Sequence, residues 1–106
     1  MSTATSNGAS AGDVQLLEQT FRKAGFAEAE AYRLSFASVR LRIRDERFRG
    51  LSRVARMKLV EPIIDTLSEE VQQDLIFVLP IACGEETSSH FRRLNEKFER
   101  QKLNPE

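Results

Sequence analysis

The apolar residues of this chain change their spacing within a few positions of Gly50, and that change restricts it to a mixed fold. Before it, residues 38–45 read Ser-Val-Arg-Leu-Arg-Ile-Arg-Asp. Val39, Leu41 and Ile43 fall on one face of an extended segment, and Arg40, Arg42 and Arg44 fall on the other. After it, Val54, Met57, Ile64 and Leu67 recur at helical spacing, and Leu59, Val60 and Ile63 broaden the stripe. A strand must therefore give way to a helix across a turn. Gly50 can take the backbone angles of such a junction, and Ser52 is placed to cap the helix, its side-chain oxygen accepting a backbone N–H.

The remaining segments supply partners for this unit. Residues 1–12 are small and polar with nothing to bury, so a disordered tail is expected, leaving residues 13–103 as one domain. Asp13 reads as the N-cap of a first helix with the stripe Val14, Leu17, Phe21 and Ala24, ended by Gly25. Residues 29–36 form a strand candidate in which Tyr32, Leu34 and Phe36 alternate, joined to the arginine strand by a turn near Ala37 and Ser38. The second helix is predicted over residues 52–67, kinked or split at Pro62.

Ser68, Glu69 and Glu70 open a short helix to about Asp74. The unbroken apolar run of residues 75–79 then predicts a strand buried on both faces or nearly so, and Pro80 marks an edge or an end. This strand has to return through a crossover, so it is expected parallel to one strand of the hairpin. Beyond Cys83 and Gly84, Thr87 or Ser88 caps a last helix whose stripe Phe91, Leu94 and Phe98 is expected to pack on the domain. The predicted order is α-β-β-α-(α)-β-α, an α+β domain.

A chain of 106 residues has room for one small domain. It has no apolar run of the roughly 20 residues that span a bilayer, no secretory signal pattern, and no arginine before Arg22 to mark a transit peptide. Its one cysteine, Cys83, rules out an internal disulfide and suits a reducing compartment, so a cytoplasmic location is expected. The formal net charge is zero but unevenly spread. Residues 40–58 hold eight basic and two acidic side chains, whereas residues 59–91 hold seven acidic ones and neither Lys nor Arg. Solvated faces are the common reason for such blocks. A basic patch for nucleic acid or for an acidic partner is the functional one.

Phe48, Gly50, Ser52, Arg56 and Val60 stand as F-x-G-x-S-x-x-x-R-x-x-x-V. This run resembles the F-x-G-x-S-x-x-x-R-H-R-x-V signature of the BolA family, small stress-response proteins linked to iron–sulfur and redox regulation. Lys58 stands for the second arginine and Met57 for the histidine, and the resemblance reaches over about residues 14–81. It implies a type II KH-like sandwich with helices on one face of a small mixed three-stranded sheet, here with an added C-terminal helix. It also implies a monothiol glutaredoxin as partner, sharing a bridging [2Fe–2S] cluster. The family's ligand histidine in the last strand corresponds to Phe77, and the loop between the first strands holds neither His nor Cys. The ligand types are therefore missing at the family positions.

Candidate chemistry is otherwise sparse. His90 and Cys83 are competent ligands for a cluster or zinc, but no third group accompanies them, and no phosphate loop, paired-histidine or Cys-x-x-Cys motif is present. Adjacent acids such as Glu69-Glu70 and Glu85-Glu86 read as helix N-terminal charges. A non-enzymatic protein is expected. Arg40, Arg42 and Arg44, continued by Arg47, Arg49 and Lys58, would give salt-dependent phosphate affinity, as in a transcriptional regulator that binds DNA, although a KH-type GxxG clamp is missing. Arg56 is expected to anchor the junction through carbonyls or Asp45. The leading expectation is an adaptor that meets a glutaredoxin through Phe48, Gly50, Ser52, Arg53 and Arg56. Nucleic-acid binding by the arginine face stands beside it, and so does a fold that has kept neither activity.

Overall fold

The computed structural model describes residues 5–103. Helix α1 (Thr5–Lys23) leads into strand β1 (Glu28–Ser35), a turn at Phe36 and Ala37, and strand β2 (Ser38–Arg44). Helix α2 (Arg53–Ile64), short helix α3 (Glu69–Asp74), strand β3 (Leu75–Ile81) and helix α4 (Arg92–Leu103) follow, with single 3₁₀ turns at Glu46–Phe48 and Glu85–Thr87. The sheet order is β1-β2-β3, with β1 antiparallel and β3 parallel to the central β2. The α+β class and the mixed three-stranded sheet agree with the sequence reading.

The strict alternation of β2 sets the layers. Val39, Leu41 and Ile43 are buried together with Leu17 and Phe21 of α1, Ala29 and Ala31 of β1, and Val60 of α2, so α1 and α2 cover one face of the sheet. Each fully buried large side chain in this cluster contributes roughly 1.5–3 kcal/mol. The opposite face is covered as well. Leu79 and Ile81 of β3 pack on Phe91, and Phe98 of α4 lies 4.9 Å from the Tyr32 ring and 6.2 Å from that of Phe77. The sheet is therefore sandwiched between helices, rather than carrying them on one face as expected. Helix α4 begins at Arg92, later than the expected cap at Thr87 or Ser88; Ser88 lies in the turn before it, its hydroxyl oxygen accepting the Phe91 N–H at 3.2 Å.

Several local expectations are corrected. Helix α1 already runs at Thr5, so Asp13 lies inside it and pairs with Arg33 at 3.6 Å; of the expected tail of residues 1–12, residues 1–4 lie outside the described residues. In β1 the inward positions are Ala29 and Ala31, while Tyr32 faces α4 and Phe36 is 88% exposed in the turn. Small residues there let α1 approach closely, and its Glu18 carboxylate accepts the Ala31 N–H at 2.8 Å, occupying an outward-facing group of an edge strand. In α2, Val54 is 67% exposed and Leu59 is exposed too, because the helix turns Arg56 and Val60 inward instead. The run of residues 75–79 is an edge strand, not a doubly buried one. A bulge beside Val39 pushes Ile76 out, and Pro80, which has no N–H to donate, is tolerated at the edge.

Candidate functional site

The junction between β2 and α2 is fixed from below. Phe48 is fully buried and its ring stacks on Phe26 at 5.7 Å, while Phe26 meets Phe21 edge-on at 5.5 Å. Asp45 caps the 3₁₀ turn by accepting the N–H of Arg47 at 2.9 Å, and it also accepts the Ala27 N–H at 2.8 Å. Burial would push the Asp45 carboxyl up, but these bonds and the Arg47 guanidinium hold it below the usual carboxylate range. Arg47 lies over the Phe26 ring at 4.1 Å and donates to the Gly25 carbonyl at 2.7 Å. Gly50 then takes φ +79°, a left-handed conformation that favours glycine, with nothing within 4 Å of where a Cβ would stand. Ser52 caps α2 as expected, accepting the Ala55 N–H at 3.1 Å.

Arg56 is the centre of this arrangement. It is 3% exposed and donates to the carbonyls of Leu51 at 2.9 Å and Pro80 at 3.1 Å. Its guanidinium also grips both carboxylate oxygens of Glu85 and lies 4.7 Å from the centre of the Phe91 ring. The carbonyl anchoring agrees with the sequence reading. The acidic partner is Glu85 rather than Asp45, because Asp45 is already engaged by Arg47 and Ala27. Hydrogen bonding from Arg56 holds the Glu85 carboxyl below the ordinary glutamate range, outweighing the opposite effect of burial. One oxygen of Glu85 also accepts the Ala82 N–H at 2.8 Å. Beside it, Arg49 pairs with Glu46 and donates to the Cys83 carbonyl at 2.6 Å, so the junction is clamped to the segment after β3 at two points.

Above this clamp opens a cleft of about 530 Å³ lined by Gly50, Leu51, Ser52, Arg53, Arg56, Glu85, Ser88, His90 and Phe91. Four of the five residues expected at a partner surface thus share one opening, while Phe48 supports it from the core. Nothing in the sequence pointed to Glu85, Ser88 or Phe91 as members. Glu85 and Glu86 open a helical turn as expected, and both are also paired, Glu86 with Arg44 and Glu85 with Arg56.

The arginine strand is not the free cationic face that its alternation promised. Arg42 is 5% exposed and donates to Glu30 at 2.8 Å, Asn95 at 2.6 Å and Glu99 at 2.5 Å, over the Phe98 ring. Arg44 pairs with Glu28 and Glu86, and Arg40 lies over the Phe77 ring at 5.4 Å. Arg47 and Arg49 are held by Asp45 and Glu46. Helix α4 and its preceding turn cover this face and bring acids to it. Lys58 remains exposed on α2.

The candidate ligands do not converge. His90 lines the cleft, whereas Cys83, also exposed, lines a separate depression of about 170 Å³ with Ala27, Glu28, Arg44, Asp45 and Glu46. Among the described residues, no three His, Cys, Asp or Glu side chains are grouped to hold a metal ion. Phe77, at the position the family resemblance assigns to a ligand histidine, packs against Phe98 under α4. These residues do not fit a bridging cluster in that geometry, since an apolar ring donates no electron pair to iron and a helix closes the approach.

No family model, curated protein or solved structure matches the chain. No helix among the described residues is long and apolar enough to cross a membrane.

Proposed function

We propose that this chain is a non-enzymatic adaptor of BolA-like type, which docks a monothiol glutaredoxin through the cleft at the start of α2 without contributing a cluster ligand. One observation carries the reading. The motif residues Gly50, Ser52 and Arg56, with Arg53 between them, gather on one open cleft whose walls are held by the Arg56–Glu85 pair and the Arg49 bond to the Cys83 carbonyl, and apolar Val54 is exposed in the same first turn of α2. A rigid, part-apolar opening of this kind suits binding, because little ordering entropy remains to be lost on association. The element order, with a mixed sheet and a helix leading from β2 towards β3, is consistent with the KH-like arrangement implied by the motif.

Nucleic-acid binding by the arginine strand has less support, because a buried Arg42 paired with two carboxylates cannot reach a phosphate without being unpaired. The test is an anaerobic titration of the protein into apo and [2Fe–2S]-loaded monothiol glutaredoxin, followed by calorimetry and visible circular dichroism. Binding to the apo form, weakened by Val54→Asp with the cluster spectrum unchanged, is the expected result. A new cluster spectrum that disappears in Cys83→Ser or His90→Ala would overturn the ligand-free mode. No binding to either form would overturn the partner.

A further inference from the structure

Charge is distributed unequally across the cleft. Its one acidic lining residue, Glu85, spends both oxygens on Arg56 and the Ala82 N–H, so it presents little free negative charge to an incoming group. Arg53 lines the opening and is exposed, and Lys58 is exposed one turn beyond Val54 on the same helix. None of the ion pairs among the described residues involves Arg53 or Lys58. Along α2 the first acid is Glu61, which bounds the positive patch on one side. Apolar Leu51 in the lining and Val54, which follows Arg53 on α2, are both exposed.

We infer that the cleft receives an acidic, apolar peptide segment of a partner protein. Its carboxylates would lie along Arg53 and Lys58, and an apolar side chain would rest on Leu51 and Val54. Charge complementarity fixes the sign of the occupant, and the exposed apolar pair fixes its second property. A nucleic acid would satisfy only the first. Its phosphates gain nothing from Leu51 and Val54, and Phe91 is buried and covered by the Arg56 guanidinium, so the exposed His90 imidazole is the one ring in the lining left for a base to stack on, short of the successive aromatic platforms that single strands use. This inference rests on the adaptor reading for the location of the site, and it adds the chemistry of what binds there.

The test is a selection from a random peptide library displayed on phage, against the full chain and against Arg53→Glu, with circular dichroism of both to show that the exposed substitution leaves the fold intact. Enrichment of sequences combining Asp or Glu with an aromatic or aliphatic residue is expected. The selected peptide should bind at least about tenfold more weakly to Arg53→Glu, and more weakly at high salt. Enrichment of neutral or basic peptides, no enrichment, or equal affinity for Arg53→Glu would overturn the inference. Tighter binding of a random single-stranded oligonucleotide pool that is lost in Arg53→Glu would reassign the cleft to nucleic acid. The glutaredoxin arm separates the two claims. A glutaredoxin complex insensitive to Arg53→Glu keeps the partner and removes the acidic-segment inference, while peptide binding without a glutaredoxin complex does the reverse.

Discussion

Arg56 and Glu85 lie 29 positions apart, yet two guanidinium N–H groups of the first donate to both carboxylate oxygens of the second at 2.6 and 3.0 Å. This bidentate pair ties the first turn of α2 to the 3₁₀ turn after β3, so the two walls of the cleft come from one charged contact. Its geometry needs a planar fork, and the remaining guanidinium bonds go to the buried Pro80 carbonyl and the part-buried Leu51 carbonyl.

Removing the fork should be costly. Arg56→Met leaves the Glu85 carboxylate and the Pro80 carbonyl without their donor in a largely buried site, and an expected loss of about 3–5 kcal/mol follows. Arg56→Lys should recover only a minor part, since an ammonium cannot bind both oxygens while keeping the Leu51 contact. Urea unfolding of the two variants measures this, and a loss below about 1 kcal/mol for Arg56→Met would show that the pair does not hold the junction.

Acid should weaken the fold through the same contacts. Glu85, held low by Arg56, and Glu99, held low by Arg42 and Lys102 despite its burial, have folded pKa values below the ordinary glutamate value of 4.5. Their contribution is therefore fully present above about that value and is lost as pH falls through the lower, folded pKa. Unfolding free energy should be flat on the neutral side and fall on the acid side, with a shallower fall in Glu85→Gln. An identical acid slope in Glu85→Gln would remove Glu85 from this account.

Gly50 separates conformation from space. At φ +79°, with nothing near the position of a Cβ, Gly50→Ala should cost about 1–2 kcal/mol from backbone strain alone. Gly50→Asn should cost less, because asparagine visits this region more readily. Thermal melts of both variants give the ordering, and equal stability of wild type and Gly50→Ala would contradict it.

Helix α4 should behave as core and α2's outer face as surface. Phe98→Ala removes a fully buried ring that meets Tyr32, Phe77 and Arg42, with an expected loss of about 3–5 kcal/mol. Val54→Asp, at an exposed position, should change stability by no more than about 0.5 kcal/mol. Denaturant midpoints decide both, and the reverse ranking would mean that α4 is not part of the core.

Much of the cleft could be read from residues 48–60, because each feature there is local. Ser52 reaches a backbone N–H three residues on, Gly50 answers a backbone angle, and Phe48 precedes the turn that buries it. Glu85 and Phe91 could not be read this way, since nothing near them in sequence marks them as partners of Arg56. The arginine strand was the reverse case: its alternation placed Arg40, Arg42 and Arg44 on one face, but could not show that face to be covered.

Periodicity, capping and crossover length are properties of neighbours along the chain, and they were enough to read the order of strands and helices, the inward face of β2, the Ser52 cap and the parallel return of β3. Tertiary structure alone decided which charges remain free. Glu30, Glu86 and Glu99 reach Arg42 and Arg44 from three different elements once the sheet and α4 come together, whereas Arg53 in the cleft lining, Lys58 on α2, and Arg92 and Arg93 after Phe91 stay exposed and outside the ion pairs of the described residues. A charge pattern fixes the sign of a segment. Only packing determines whether that charge meets a carboxylate of its own chain or the solvent.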